Sequence, residues 1–232
     1  PFETPTFPQI AQFRIEFMRI IKGRFRHRKL LTNPGLHTRP LTARVKNALF
    51  DRLIWWMDKA RVLDIYSGTG TIGFEALSRG AQSVVFIEND RKAFDLLRAN
   101  AAALQVEDET VCWRTDAAKC SFRPLRAEDY YPYDVVFIDP PYDIAAKLTA
   151  STLLYRTLGR LARDALTTPD VLMLFRCRRN TVFAMPPAWK VWTTFTYASM
   201  DIYLYHKASY EHEADHPPQL EPLSAEELRE VE

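Results

Sequence analysis

The sequence predicts an α/β fold, a parallel sheet with helices on both faces, and three observations carry it. From Arg61 onward, strand-length apolar runs alternate with helix-length amphipathic segments. Four of the seven glycines, Gly68, Gly70, Gly73 and Gly80, fall within thirteen positions that begin where the first such strand meets the first such helix. The last two strand-like runs alternate apolar and polar residues, as an antiparallel pair would. The chain has 232 residues, 47% hydrophobic and 26% charged, which suits one domain with appendages. No run approaches the roughly 18 apolar residues of a membrane span, and the N-terminus shows no basic segment followed by an apolar one. Cys112, Cys120 and Cys177 are odd in number and lack paired spacing, which argues against a disulfide scaffold and a cysteine zinc site. A cytoplasmic protein with no metal and no membrane contact is expected.

Element by element, residues 1–17 read as an N-terminal extension, with the regular protein opening at Met18. Residues 18–60 read as a basic hairpin and helix. Lys22-Gly23 is the expected turn, with Arg24, Arg26 and Arg28 on one face of the next strand and Phe25 and His27 on the other. Asn33-Pro34-Gly35 reads as a loop, and Thr42 as the cap of a helix whose Val45, Leu49, Leu53 and Trp56 recur at helical spacing. Residues 61–208 hold the repeated units: strand 61–66, helix 71–79, strand 83–88, helix 91–104, strands 110–115 and 134–138, a helix near 145–165, then strands 171–177, 191–197 and 200–206. Residues 209–232 read as an acidic tail, in which Ser224 and Glu227 suit a capping box.

Charge follows the same division. Met18 to Ala48 holds nine Lys/Arg and no Asp/Glu, whereas residues 211–232 hold eight acids and one base. The formal charge of +2 hides a basic head and an acidic tail. An acid-free basic stretch suits a polyanion, because each neutralised phosphate releases counterions. Arg24, Arg26, Arg28, Lys29, Arg39 and Arg44 are the expected phosphate contacts.

Three constellations point to chemistry. Asp64-Ile-Tyr66-Ser67-Gly68-Thr69-Gly70 joins a strand to a helix, the setting in which clustered glycines let a nucleotide-like ligand approach the backbone. Such turns serve NAD, FAD and S-adenosylmethionine alike. Asp64 suits a ligand with a cationic amino-acid moiety better than a pyrophosphate, which gains nothing from an added anion. Glu88, twenty residues after Gly68 and followed by Asn89, is placed to hold ribose hydroxyls; Asp116, next to Ala117, is placed to receive an adenine amine. The third constellation, Asp139-Pro140-Pro141-Tyr142, ends the apolar strand Val135-Val136-Phe137-Ile138. An exocyclic nucleobase amine is a poor nucleophile, its lone pair delocalised into the ring. Asp139 and the Pro140 carbonyl can accept its two N–H groups, the prolines preset the carbonyl's aim, and Tyr142 offers a face for an extruded base. A hydride transfer has no use for this tetrapeptide.

The chain resembles the bacterial 16S rRNA guanine-N2 methyltransferases of the RsmD type over roughly Met18 to Lys207. The segments that carry the resemblance are Arg19-Ile-Ile-Lys-Gly-Arg24 with Arg28-Lys-Leu30, Arg39-Pro-Leu-Thr-Ala-Arg-Val-Lys-Asn-Ala-Leu-Phe50, Val62-Leu-Asp-Ile-Tyr-Ser-Gly-Thr-Gly70, Gly73-Phe-Glu-Ala-Leu-Ser-Arg-Gly-Ala81 and Tyr133-Asp-Val-Val-Phe-Ile-Asp-Pro-Pro-Tyr142. The resemblance implies a Rossmann-like class I methyltransferase domain with a seven-stranded, mostly parallel sheet. It implies S-adenosyl-L-methionine as donor, one small-subunit rRNA guanine as acceptor, and 16S rRNA or an assembling small subunit as partner of a monomeric enzyme. The chain departs from the family at Ala43 and Asn47, where members tend to carry acids, and around Tyr197 to Asp201. Two other readings share parts of this pattern. A DNA or other amino-methyltransferase acting on adenine N6 or cytosine N4 would normally need a larger recognition region, and a non-enzymatic rRNA-binding assembly factor would be expected to have lost Asp139 or the glycines.

Overall fold

Residues 16–32, 41–197 and 199–210 are described by the computed structural model. The basic segment forms a small antiparallel pair, β1 (Glu16–Arg19) and β2 (Lys29–Thr32). Between them the sequence reading needs correction. Arg24 to His27 form a turn and not a strand, with Gly23 (φ 85°) and His27 (φ 69°) in left-handed conformations, so Arg24, Arg26 and Arg28 share no strand face. β1 also starts at Glu16, two residues before the expected opening at Met18. Arg39, the 33–35 loop and the acidic tail beyond Tyr210 lie outside the described residues.

Thr42 caps the next helix as its side chain predicts, Oγ1 accepting the Val45 amide at 3.3 Å. That helix is α1 (Ala43–Arg52), followed by the single turn α2 (Ile54–Met57). The βα units then run β3 (Arg61–Ile65), α3 (Thr71–Ser78), β4 (Ser83–Glu88), α4 (Arg91–Leu104), β5 (Thr110–Arg114) and β6 (Tyr133–Ile138). After β6 the single expected helix is two, α5 (Tyr142–Ala146) and α6 (Leu153–Leu161). The break has a local cause: Thr149, Ser151 and Thr152 bond one another and the backbone, and Thr152 Oγ1 accepts the Tyr155 amide to start α6 anew. β7 (Thr167–Arg178), β8 (Trp189–Tyr197) and β9 (Met200–Lys207) complete the strands of the described residues.

The seven strands from β3 onward form one sheet in the order β5-β4-β3-β6-β7-β9-β8. The first five are mutually parallel, and β9 runs antiparallel between β7 and β8. Alternation along each strand splits the core in two. Val62, Val84, Phe86, Phe137 and Leu174 meet α1, α3 and α4 on one face. Leu63, Val85, Val136, Met173 and Phe175 meet Leu154, Leu158 and Leu161 of α6 on the other. Each fully buried Leu or Phe contributes about 1.5–3 kcal/mol, so these two faces hold the strand order that assembles the site. Among the described residues no helix is long and apolar enough to cross a membrane.

Candidate active site

The strand order turns back at β3, whose neighbours are β4 and β6. Ligands of open α/β sheets bind at the carboxyl ends of strands beside such a switch point. The glycine turn, Glu88 and Asp139 all lie there.

The turn after β3 alternates unusual backbone: Tyr66, Gly68 and Gly70 have φ of 62°, 57° and 85°. The two glycines differ in what they permit. A Cβ at Gly68 would meet nothing within 4 Å, so the space beside it is open to a ligand. At Gly70 it would lie 2.5 Å from Phe74 and 2.6 Å from Leu97, and at Gly73 2.2 Å from Phe86. Gly68 therefore faces open space, whereas Gly70 and Gly73 are demanded by the packing of α3 against α4 and β4. Asn100 of α4 fixes the turn further, its Nδ2 donating to the Thr69 carbonyl at 2.9 Å.

Asp64 is fully buried on the α3 face of β3. Its Oδ2 accepts the Gly73 amide at 2.9 Å, and its Oδ1 has no hydrogen-bond partner among the described residues. Burial pushes its carboxyl well above the usual carboxylate range; the Gly73 bond opposes this, and the charges of Asp139 and Glu88 add to it. Glu88 accepts the Gly68 amide at 2.8 Å and the Asp90 amide at 2.7 Å, one on each oxygen, with lone pairs to spare. Burial raises its carboxyl, against the pull of those amides. Ser67 is tied to the Ile87 carbonyl through its amide at 3.1 Å. Asn89 is exposed, Ala117 is buried, and half-buried Asp116 accepts the Ala118 amide at 2.9 Å. Burial, with Asp116 and Glu88 nearby, raises the Tyr66 phenol, which stays protonated.

β6 pairs in parallel with β3, and the Asp139 amide donates to the Ile65 carbonyl at 3.2 Å. Pro141 caps α5, its carbonyl accepting from Ile144 and Ala145 at 2.9 and 3.0 Å. No hydrogen bond among the described residues claims the Pro140 carbonyl. Tyr142 opens α5, with the guanidinium of Arg178 5.3 Å and that of Arg176 6.0 Å from its ring centroid. Asp139 itself bonds Arg176. Neither arginine was singled out from sequence; for Arg176 the signal was a charge inside the apolar run from Val171 to Cys177.

The expected phosphate contacts are scattered. Arg24 pairs with Glu109, and Arg28 donates to the Ala103 carbonyl. Arg26, Lys29 and Arg44 are exposed, Lys29 with its ammonium over the Phe17 ring. The turn holding Arg24 packs on Ser78 at the end of α3 remote from the glycine turn, so it sits at the opposite end of the sheet from Asp139. The thiols are ordinary core groups; burial pushes Cys112, Cys120 and Cys177 up to about 11.

Residues 18–206 match the family described as "Conserved hypothetical protein 95". Over 175 residues, 74% of this chain and 84% of the relative, the sequence is 31% identical to the ribosomal RNA small subunit methyltransferase D of Haemophilus influenzae. Over 127 residues, 54% of this chain and 60% of the relative, it is 39% identical to the Escherichia coli protein of the same name. Among solved structures, the yhhF protein of Escherichia coli superposes with a TM-score of 0.66 at 29% identity, covering 83% of this chain and 98% of that one.

Proposed function

Because the chain belongs to the family described as conserved hypothetical protein 95, the RsmD family of ribosomal RNA small subunit methyltransferases, we propose that it transfers a methyl group from S-adenosyl-L-methionine to the exocyclic N2 amine of one guanine in 16S rRNA. The observation that carries this reading is Asp139-Pro140-Pro141-Tyr142 at the end of β6, directly beside the strand that leads into the glycine turn.

The donor fits the residues present on two counts. Asp64 leaves a buried carboxylate oxygen unpartnered, the complement of an ammonium group, and Gly68 leaves open space along the backbone. Asp64 would hold the methionine ammonium, Glu88 the ribose hydroxyls and Asp116 the adenine amine. Tyr66, Ser67, Thr69, Gly70, Asn89 and Ala117 would surround them. The donor supplies an electrophilic methyl on a cationic sulfur.

The chain's own part is to deliver and shape the nucleophile. Asp139 and the Pro140 carbonyl accept the two N–H groups of the amine, which favours a pyramidal nitrogen with its lone pair on one side. As the N–C bond forms and the methyl's bond to sulfur breaks, the sulfur would be left a neutral thioether and positive charge grows on the nitrogen, where the fixed acceptors sit; the nitrogen then sheds one proton to solvent. Tyr142 stacks the extruded base. The acceptor is 16S rRNA, naked or within an assembling small subunit, and the enzyme acts as a monomer. Arg26, Lys29 and Arg44, with Arg24, Arg28 and Arg39, take phosphates.

The test supplies tritium-labelled donor with naked 16S rRNA, or with small subunits, taken from cells that lack the activity. Nuclease digestion and mass spectrometry should then place N2-methylguanosine at a single position. Label on adenine N6 or cytosine N4, or no label, sinks the reading.

A further inference from the structure

Arg176 is a cation inside an apolar strand. Its side chain is only 4% exposed, while its neighbours Phe175 and Cys177 are buried on the opposite face of β7. A guanidinium so placed costs several kcal/mol unless a partner compensates it. Among the described residues the carboxylate that does so is Asp139, whose Oδ1 accepts from Arg176 Nε at 2.5 Å; Met200 Sδ lies 4.0 Å from Nη1.

The register explains the meeting. Phe137 pairs with Leu174 and Ile138 with Phe175, so one further step sets Asp139 beside Arg176 on the α1 face. Among the described residues, the charged groups facing Asp139 are Arg176 from β7 and Asp64 from β3. The other elements packed there present apolar side chains: Leu41 and Leu49 around α1, Ile72 of α3 and Ile202 of β9. The cavity they line is about 20 Å³, too small for a base, so a target base would meet Asp139 at its exposed edge, where the side chain is 16% exposed. In such surroundings a carboxylate without a cation takes up a proton, and a carboxyl whose hydroxyl faces the amine cannot accept from it.

We propose that Arg176 is a positioning residue for methyl transfer: its bond to Oδ1 keeps Asp139 ionised and leaves Oδ2 aimed at the amine of the target base. This inference rests on the methyltransferase reading above. Arg176 touches neither substrate; it acts through Asp139. Burial raises the Asp139 carboxyl and Arg176 opposes the rise, so removing the cation moves the carboxyl further up and the active, ionised form is lost first at low pH.

The experiment compares the wild type with Arg176→Met, Arg176→Lys, Asp139→Asn and the double variant Asp139→Asn/Arg176→Met, the last removing both charges together. Single-turnover methylation is followed across pH, and the Asp139 carboxyl is titrated by carbon NMR in ligand-free protein. In Arg176→Met the acid limb should move up by about one to three pH units, with neutral-pH kcat down about tenfold or more and recovering in alkali. KM for donor and RNA should change by less than about twofold, and Arg176→Lys should return part of the lost rate. The double variant should turn over as Asp139→Asn does, since Arg176 acts on the transfer through Asp139. An unmoved pH profile and titration in folded Arg176→Met overturns the inference, as does a further loss when Arg176→Met is added to Asp139→Asn. Should Arg176→Met fail to fold, Arg176→Lys and the double variant decide by the same readouts. A wild type that methylates no guanine overturns the methyltransferase reading itself, and the NMR titration then reports separately on the ion pair.

Discussion

Asp64 accepts the Gly73 amide on one oxygen and keeps the other buried near Asp139 and Glu88, surroundings that disfavour its charge. Its proton is held more tightly in the folded chain than in the unfolded one. Stability from this group is therefore full below the ordinary carboxylate pKa and falls as pH rises toward the raised folded value. Asp64→Asn keeps an acceptor for Gly73 and removes the charge. At neutral pH the ligand-free variant should melt about 2–4 °C higher for each kcal/mol relieved. It should also bind S-adenosylhomocysteine at least about tenfold more weakly, since a charged partner is lost from a buried site. A lower melting temperature with unchanged affinity in calorimetry would contradict both halves. Much at this scale was legible: Asp64, Glu88 and Asp139 stand where strand-end logic placed them. What was not legible depends on neighbours. Gly68 and Gly70 look alike in the sequence, yet only Gly70 is confined by Phe74 and Leu97, a constraint that exists once α3 and α4 have packed. Arg176 was visible as a charge in an apolar run, but its partner follows from the register of β6 with β7, which no local pattern encodes.

At the scale of elements, α3 holds the hairpin. Glu75, fully buried, accepts the Ile21 and Lys22 amides at 2.9 and 3.1 Å and pairs with Lys46 and Arg79. One turn on, the Ser78 carbonyl accepts the Arg24 amide and its Oγ accepts the Phe25 amide. Gly23 is obligatory at this contact, because a Cβ there would lie 1.7 Å from the Ser78 carbonyl oxygen. These bonds explain physically why the hairpin segment and the stretch from Glu75 to Gly80 belong together. They also explain the missed turn: residues 24–27 follow α3's end and not a strand ladder. Burial lowers the Lys46 ammonium pKa while Glu75 opposes that, so the pair is coupled. Glu75→Gln leaves Lys46 buried without its anion and should cost about 3–5 kcal/mol in urea unfolding, of which a second change, Lys46→Met, should restore a substantial part. Equal midpoints for wild type and Glu75→Gln would mean the pair contributes nothing. By contrast β4 and α4 matched the sequence reading end for end, because periodicity and the Asp90 cap specify them locally. The helix expected near 145–165 failed where Thr and Ser side chains offered the backbone a different set of bonds.

Across the whole molecule, the two-sided sheet was legible from alternation alone, whereas the placement of charge was not. Of the nine cations between Met18 and Ala48, Lys22, Arg24 and Lys46 are engaged by Asp51, Glu109 and Glu75. The basic turn and the glycine turn lie at opposite ends of α3, about 12 Å apart at 1.5 Å per residue. An RNA that reaches Asp139 and also touches the basic turn must therefore span at least that length. Reversing Arg26, Lys29 and Arg44 together should flatten the salt dependence of RNA binding by about one unit per lost phosphate contact, with donor affinity unchanged. An unchanged slope would make these residues a solvated surface. Asn100 joins the two ends: its amide donates to the Thr69 and Leu31 carbonyls and its oxygen accepts the Leu31 amide at 2.7 Å. Glycine turn and hairpin therefore share an opening event, since the fluctuation that frees the Leu31 amide also slackens the turn. A donor that steadies the turn should slow hydrogen exchange at Leu31, and unaltered exchange would uncouple the two. By reciprocity, any factor by which donor tightens RNA is the factor by which RNA tightens donor. Whichever substrate binds first, the gain it gives the second is the same.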